Sequence, residues 1–129
     1  MGKLLYDVGL PVVAIASRGL EHAAAAADFI GAGVRPVRYE ELPAWCSRVV
    51  IAVPDDAVRS VACLLAQSGF TRGLALHTSG VHGREVLDCL DAEGASCAAL
   101  HPLQTVPNRE KGVVALRGCY FALSGDGEA

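Results

Sequence analysis

Residues 47–56 have the sequence SRVVIAVPDD, and this stretch decides the fold class. Residues 47–53 form the most hydrophobic run of the chain, which is too short for a typical helix and ends at Pro54. Such a run is typical of a central parallel strand, because a strand that is covered on both faces has no polar alternation. The two aspartates after the proline favour the start of a helix, where carboxylates are stabilised by the helix dipole.

Short apolar runs alternate with amphipathic stretches on both sides of this segment. Besides 47–53, the pattern predicts strands at residues 11–16, 34–39, 74–77, 96–101 and 119–123, and helices at residues 2–8, 20–30, 55–67 and 82–90. Pro36 indicates an edge strand, because proline cannot donate a ladder hydrogen bond. Strands that alternate with helices indicate βαβ units. We therefore predict an α/β fold with a doubly wound parallel sheet, in one domain over residues 1–129.

Composition excludes several classes of function. The chain has 129 residues, a single-domain length, and its 52% hydrophobic residues supply one buried core. A net charge of −3 without a basic stripe argues against nucleic-acid binding. The sequence has no apolar run of membrane-spanning length and no signal peptide, so we expect no membrane partner and a cytoplasmic location. The five cysteines include no CxxC pair, and we expect them to be small buried hydrophobes in a reducing compartment.

Polar residues follow the predicted strands at the edge where parallel sheets bind ligands. Ser17 and Arg18 follow the first predicted strand. An arginine beside a small hydroxyl suits the 2′-phosphate of NADP, whereas NAD would favour an acidic residue there; the alternative is a solvated turn. Val53, Pro54 and Asp55 follow the central strand and would pack along the cofactor's ribose, although helix capping alone would explain Asp55.

Two later strand ends each carry a histidine and small hydroxyl residues. The sequences HTSG and HPLQT begin at His77 and His101. A histidine can donate a proton to a carbonyl oxygen as hydride arrives, and a serine hydroxyl can position that oxygen. We therefore predict His101 and Ser79 as catalytic residues and Thr78 as a cofactor contact, while a structural role is the alternative for each histidine. A zinc site of His77, His82 and His101 fits by residue type, but no HxxxH or HExxH spacing supports it, and we expect no metal.

The motifs ASRG, VVIAVPDDAV, LHTSG and LHPLQT together resemble a group of bacterial oxidoreductase-like proteins. These proteins pair a Rossmann-like domain with a helical C-terminal domain of unknown function. The resemblance covers residues 2–126. The group is similar to a wider set that includes prephenate dehydrogenases, ketopantoate reductases, pyrroline-5-carboxylate reductases and 6-phosphogluconate dehydrogenases. The AVPD motif is shared across that wider set, whereas HTSG followed by HPLQT is more specific.

The resemblance implies a Rossmann-like, NADP-dependent reductase or dehydrogenase of a small carboxylated substrate, with a 2-keto acid such as ketopantoate as the leading expectation. It places Ser17 and Arg18 at the 2′-phosphate and residues 53–55 along the nucleotide. Ser79 and His101 would face the nicotinamide and the substrate. HPLQT is similar to the HPM-type motif that supplies the active-site histidine in prephenate dehydrogenases.

The glycine-rich loop of the family has no counterpart in this sequence. The family's GxGxxG motif lies just upstream of an LGxLL segment, and this chain begins with MGKLL and contains no GxGxxG. We expect the first strand, that loop and a C-terminal helical domain that would form a homodimer to lie outside residues 1–129. These residues alone should then bind NADP weakly and turn over no substrate. A non-catalytic nucleotide-binding or regulatory module and a degraded gene remnant stay open as alternatives, because fold alone does not decide function.

Overall fold

The computed structural model describes residues 1–125, in which strands and helices alternate. The elements are α1 (Gly2–Asp7), β1 (Ala14–Ala16), α2 (Leu20–Ile30), β2 (Arg35–Val37), β3 (Arg48–Ile51), α3 (Val58–Gln67), β4 (Leu74–His77), α4 (Asp88–Asp91), β5 (Ser96–Pro102), α5 (Arg109–Ala115) and β6 (Phe121–Gly125). Short 3₁₀ helices precede β3, α3 and α4, at Tyr39–Ala44, Asp55–Ala57 and Arg84–Leu87 respectively. The predicted domain includes residues 126–129, which lie outside the described residues, as does Asp126 at the end of the resemblance.

The described strands form two sheets, and most of their pairs are parallel. β1 and β2 form a parallel pair, with Ile15 opposite Pro36. β3, β4 and β5 pair in parallel in that order. The α/β fold class with a parallel sheet is therefore confirmed, and Pro36 lies in a strand at the edge of its sheet, as predicted.

The strand β6 differs from the predicted parallel pattern, because it pairs antiparallel to β5. The chain leaves β5 at Pro102, and the amide of Leu103 donates to the carbonyl of Tyr120 at 2.9 Å. The segment that contains α5 therefore returns the chain to the same end of the sheet at which β5 finishes. For a parallel strand, the crossover would have had to carry the chain to the opposite end of the sheet, where the strands begin.

The strand β3 is not central, which corrects the prediction for residues 47–53. In the part of the chain that the structure describes, β3 pairs with β4 alone and lies at the edge of the four-stranded sheet. Val49 and Ile51 are buried on one face of β3, whereas Val50 between them is half-buried. The hydrophobic run indicated a buried strand but contained no information on which strands lie beside it.

The main hydrophobic core lies between the four-stranded sheet and the layer formed by α3 and α4, and it extends to Val37 of β2 and to Leu42. Val58, Ala62 and Leu65 recur at helical spacing on one face of α3 and are fully buried. The core cluster also contains Leu87 and Leu90. A second, smaller cluster is centred on Ala27, Ile30 and Val34, beside β1 and β2.

Several element boundaries follow the sequence closely. α2 and β4 begin and end at the predicted residues, and Gly31 ends α2 with a φ of 156°. The predicted helix at residues 82–90 begins later, at Arg84. Among residues 1–125, no helix has the length and apolar character needed to cross a bilayer.

Two of the five cysteines are joined. Cys63 of α3 and Cys89 of α4 form a disulfide bond, with their Cα atoms 5.1 Å apart. The expectation that every cysteine is a separate small hydrophobe is therefore wrong for this pair, although Cys97 is buried as expected. The pair escaped the sequence pattern because its members lie 26 residues apart on different helices.

Candidate functional site

The carboxyl ends of β3, β4 and β5 meet at one edge, because these strands are parallel neighbours. Hydrogen bonds link the segments that follow them. The amide of Thr78 donates to the carbonyl of Ile51 at 3.2 Å. The structure thus brings together the ends of three strands that the sequence predicted as parts of one site.

His101 is held at this edge by the backbone of the neighbouring strand. Its Nδ1 lies 3.1 Å from the carbonyl oxygen of Thr78. Because a carbonyl can only accept, Nδ1 carries the hydrogen, and in the neutral ring Nε2 presents a lone pair. A Cβ atom added to Gly80 would lie 2.7 Å from this Nε2, so Gly80 leaves the space that the ring occupies. The half-buried imidazole can therefore exchange a proton through Nε2 while Nδ1 fixes its orientation.

His77 is the other histidine at a strand end, and its surroundings differ. The side chain is fully buried. The amide of Ser79 donates to Nδ1 at 3.2 Å, and Nε2 lies 3.0 Å from the carbonyl oxygen of Gly83. Nδ1 is therefore the acceptor and Nε2–H the donor of a neutral ring. Both nitrogens are used in holding the loop after β4, which is the structural alternative that the sequence left open.

Ser79 lies in the turn that follows His77 and is 5% exposed. Its Oγ accepts hydrogen bonds from the amides of Val81 at 3.2 Å and His82 at 3.3 Å. This arrangement fixes the turn, because a serine oxygen that accepts two local amides replaces part of the backbone bonding. The hydroxyl hydrogen is left to donate elsewhere.

Asp55 does not cap the helix that follows it, which corrects the capping explanation from the sequence. Pro54, with a φ of −52°, occupies the N-cap position, and no side chain caps this 3₁₀ helix. Instead, the carbonyl oxygen of Asp55 lies 3.2 Å from Nε2 of His82. This contact joins the segment after β3 to the segment after β4.

A cleft of about 250 Å³, lined mostly by residues with charged side chains, opens beside this contact. It is lined by Asp55, Asp56, Arg59, His82, Glu85 and Val86. Backbone hydrogen bonds, first from the amide of Glu85 itself and then from Gly83, lower the pKa of the Glu85 carboxyl below its ordinary value of 4.5. The cleft therefore carries negative charge near neutral pH. The sequence named His82 only as a possible zinc ligand and Gly80 only as part of the HTSG motif, and it assigned neither residue to this site.

Ser17 and Arg18 follow β1, in the two-stranded sheet. Arg18 is exposed, and within residues 1–125 its guanidinium makes no side-chain hydrogen bond or ion pair. No described hydrogen bond connects these two residues to the His101 group. The structure thus brings Thr78, Ser79 and His101 together and leaves the predicted phosphate contact as a separate, exposed turn.

A larger cleft, of about 580 Å³, lies at the other end of the small sheet. Its lining includes Leu10, Val12, Gly33 and Trp45, and the guanidinium of Arg35 stacks 4.5 Å from the Trp45 ring centre. These residues precede β1, β2 and β3. Ligands of parallel sheets bind at the carboxyl ends of strands, so we assign the site to the smaller cleft and the His101 edge despite the difference in volume.

Residues 1–125 contain no group of three or more His, Cys, Asp or Glu side chains arranged to hold a metal ion. His77, one of the three histidines considered for zinc, uses both ring nitrogens in backbone contacts.

Comparison with known protein families gives one match. The family model described as "Rossmann-like domain" matches residues 7–102, a range that runs from the end of α1 to the end of β5. Every residue assigned to the candidate site lies within it. No curated protein matches the chain.

Proposed function

The chain belongs to the Rossmann-like domain family, and from this premise we propose that it is the nucleotide-binding domain of an NADP-dependent oxidoreductase that acts on a small carboxylated substrate. Domains with this fold usually bind a nucleotide cofactor. The observation that carries the proposal is the imidazole of His101, which the Thr78 carbonyl holds at the carboxyl ends of three parallel strands with Nε2 toward Gly80.

His101 suits proton transfer to or from a substrate oxygen. With Nδ1 fixed on a carbonyl, the ring gains or loses its proton at Nε2 without reorienting. NADP, when bound, would supply or accept the hydride. A carbonyl substrate such as a 2-keto acid would then take its proton from the protonated Nε2. Ser79 would contribute the hydroxyl hydrogen that its two amide contacts leave available.

Arg18 fits the 2′-phosphate that distinguishes NADP from NAD. Its guanidinium is exposed at the carboxyl end of β1, beside the hydroxyl of Ser17. A guanidinium binds phosphate oxygens through two parallel charge-assisted hydrogen bonds. We expect the pyrophosphate to be bound more weakly, because residues 1–129 contain no GxGxxG motif to present backbone amides to it. Weak overall affinity with a preference for the 2′-phosphate is therefore the expected behaviour.

Nucleotide titrations followed by NMR test this assignment. Adenosine 2′,5′-bisphosphate should bind more tightly than AMP and shift the amide signals of Ser17 and Arg18. Arg18→Ala should weaken the bisphosphate about tenfold or more, as expected for a lost charged hydrogen bond of about 1.5 to 3 kcal/mol, and should leave AMP unchanged. Arg48→Ala is the matched control, because Arg48 is exposed at the amino end of β3. Equal binding of the two nucleotides, or equal effects of the two substitutions, would disprove the role of Arg18.

The role of His101 needs a protein that also contains the glycine-rich segment. In such a protein, His101→Ala should lower kcat strongly and leave NADP affinity near normal. Arg18→Ala should raise the KM for NADP and barely affect NAD. If neither substitution alters the kinetics, the site assignment is wrong.

One observation favours a second function, that of a non-catalytic nucleotide-binding module. Ser79 and His77 both hold the loop after β4 through backbone contacts, so a structural role also explains the presence of these two residues. Nucleotide binding with no turnover of any 2-keto acid, in a protein that carries the glycine-rich segment, would support this alternative. A cytoplasmic location and a homodimer formed through a helical domain stay predictions.

A further inference from the structure

The disulfide between Cys63 and Cys89 joins two helices that lie on the same side of the four-stranded sheet. Cys63 is in the middle of α3, and Cys89 is the second residue of α4. Both residues are half-buried. Small thiols in solution can therefore approach the bond more easily than if it lay in the core.

The hydrophobic core does not depend on this bond. Neither cysteine belongs to the core cluster. α3 contributes the fully buried Ala62 and Leu65, and α4 contributes the fully buried Leu90. Because these contacts persist whatever the state of the sulfur atoms, the oxidised and the reduced chain should both fold.

The bond also joins the two helices that continue from the segments lining the cleft. Arg59 precedes Cys63 by four residues and so occupies the same face of α3, and Val86 precedes Cys89 by three. The lining residues come from two segments, 55–59 and 82–86, which we call the walls of the cleft. Arg59 of the first wall and Val86 of the second each lie within about one helical turn of a bonded cysteine. The contact between His82 and the Asp55 carbonyl also joins these two segments. The disulfide bond and the weaker contact between His82 and the Asp55 carbonyl therefore both set the distance between the two walls.

We propose that Cys63 and Cys89 form a reversible thiol–disulfide site that glutathione reduces, and that the bond holds the walls of the cleft at a fixed separation. In reduction, two glutathione molecules each give up one proton and one electron. The Cys63–Cys89 bond breaks, each sulfur becomes a thiol, and the two glutathione molecules leave as glutathione disulfide. Oxidation by glutathione disulfide is the reverse. The reduction and oxidation of this bond do not depend on the proposed function, whereas any effect on nucleotide affinity rests on it.

The other cysteines are poorly placed for this chemistry. Burial raises the pKa of the Cys46 thiol, whose Sγ lies 3.4 Å from the carbonyl oxygen of Leu42. Cys97 is buried in the core. Cys119 lies between α5 and β6 in the chain and belongs to neither helix of the pair.

Equilibration in glutathione buffers of graded redox ratio tests whether the site switches. After an acid quench, alkylation and peptide mapping should show Cys63 and Cys89 changing together, in a single transition, between protected and modified. Cys119 should be modified in both the reducing and the oxidising buffers. Modification of Cys63 independently of Cys89, or a modified fraction of the pair that does not change with the redox ratio, would overturn the proposal.

Backbone amide NMR of the oxidised and reduced forms tests the coupling to the cleft. Shift changes should include Arg59, His82 and Glu85, with the circular dichroism spectrum retained. The melting temperature should fall by roughly 5 to 15 °C, since opening this loop releases chain entropy in the unfolded state. Unchanged cleft signals, or loss of helical structure on reduction, would refute the coupling.

Serine variants distinguish the effect of losing the disulfide bond from any other effect of the redox buffer. Cys63→Ser and Cys89→Ser should each reproduce the spectrum of the reduced form in any buffer, and Cys119→Ser should switch like the wild type. If a serine variant does not fold, the redox titration of the wild type still decides the matter. A nucleotide affinity that is equal in the two redox states, with the cleft signals shifted, would count against the proposed function at this cleft and leave the switch intact.

Discussion

The four-stranded sheet and the two-stranded sheet present their candidate functional residues in different ways. At the first, His101 is held by the Thr78 carbonyl, and the loop beside it is fixed by a fully buried histidine. At the second, Arg18 is exposed and has no side-chain partner in residues 1–125. A proton donor needs a defined direction, because hydrogen bonds weaken steeply with angle. A cation that meets a phosphate tolerates more freedom, because charge attraction falls off slowly with distance.

The largest expected effect concerns the two cores behind these sheets. Leu65→Ala should lower the free energy of unfolding by about 3 to 5 kcal/mol, because it leaves a cavity in the large cluster. Ile30→Ala should cost about 2 kcal/mol, because the smaller cluster has half-buried neighbours that can relax. Both residues are buried, at 0% and 4% exposure. Urea denaturation measures both values, and equal losses would show that the smaller cluster does not relax around the cavity.

Removing the buried histidine should have the next largest effect. His77→Leu deprives the Gly83 carbonyl and the Ser79 amide of their partners, at a cost of about 2 to 3 kcal/mol. The comparison is His22→Leu on α2, since His22 is 74% exposed and pairs with the exposed Glu21; it should change stability by less than about 0.5 kcal/mol. A small effect at position 77 would mean that water can replace both contacts and that the loop is not fixed by this ring.

Adding one methyl group beside His101 should disturb the site itself. In Gly80→Ala the new Cβ would lie 2.5 Å from Cε1 of His101, so the ring must move, at a cost of about 1 to 3 kcal/mol. NMR signals of the His101 ring should shift strongly. In a His101→Ala background the same substitution should cost much less, because the clash is gone. Additive costs in the double variant would show that the two residues do not contact each other.

The smallest expected effect is the pH dependence of the cleft. Because amides of Glu85 and Gly83 hold the pKa of Glu85 below 4.5, its contribution to stability is complete above that pH and is lost as the pH falls through the folded-state value. The stability difference between wild type and Glu85→Gln should therefore disappear in acid. Glu110 offers a comparison, since its pKa is lowered first by a hydrogen bond from the Arg109 side chain. Added salt should weaken that shift more than the one at Glu85.

The regular elements were largely predictable because they depend on neighbours along the chain. The alanine-rich pattern and the glycine after it predicted the limits of α2, and the apolar run that ends at His77 predicted β4. The helix α5 was missed because its polar sequence REKG, with a glycine, resembles a loop. The cap was a usable signal, since the Asn108 side chain accepts a hydrogen bond from the Lys111 amide at 2.9 Å.

By itself, the sequence determined that strands and helices alternate and that polar residues stand where strands end, since both follow from periodicity and turn residues within a few positions. Only the tertiary structure decided that the strands form two sheets, that β6 runs antiparallel and that Cys63 bonds to Cys89. It also gave His77 and His101, which have similar local sequences, different roles. The physical reason is that a hydrogen bond or a disulfide depends on which distant residue the packed chain brings alongside, and local sequence does not contain that partner.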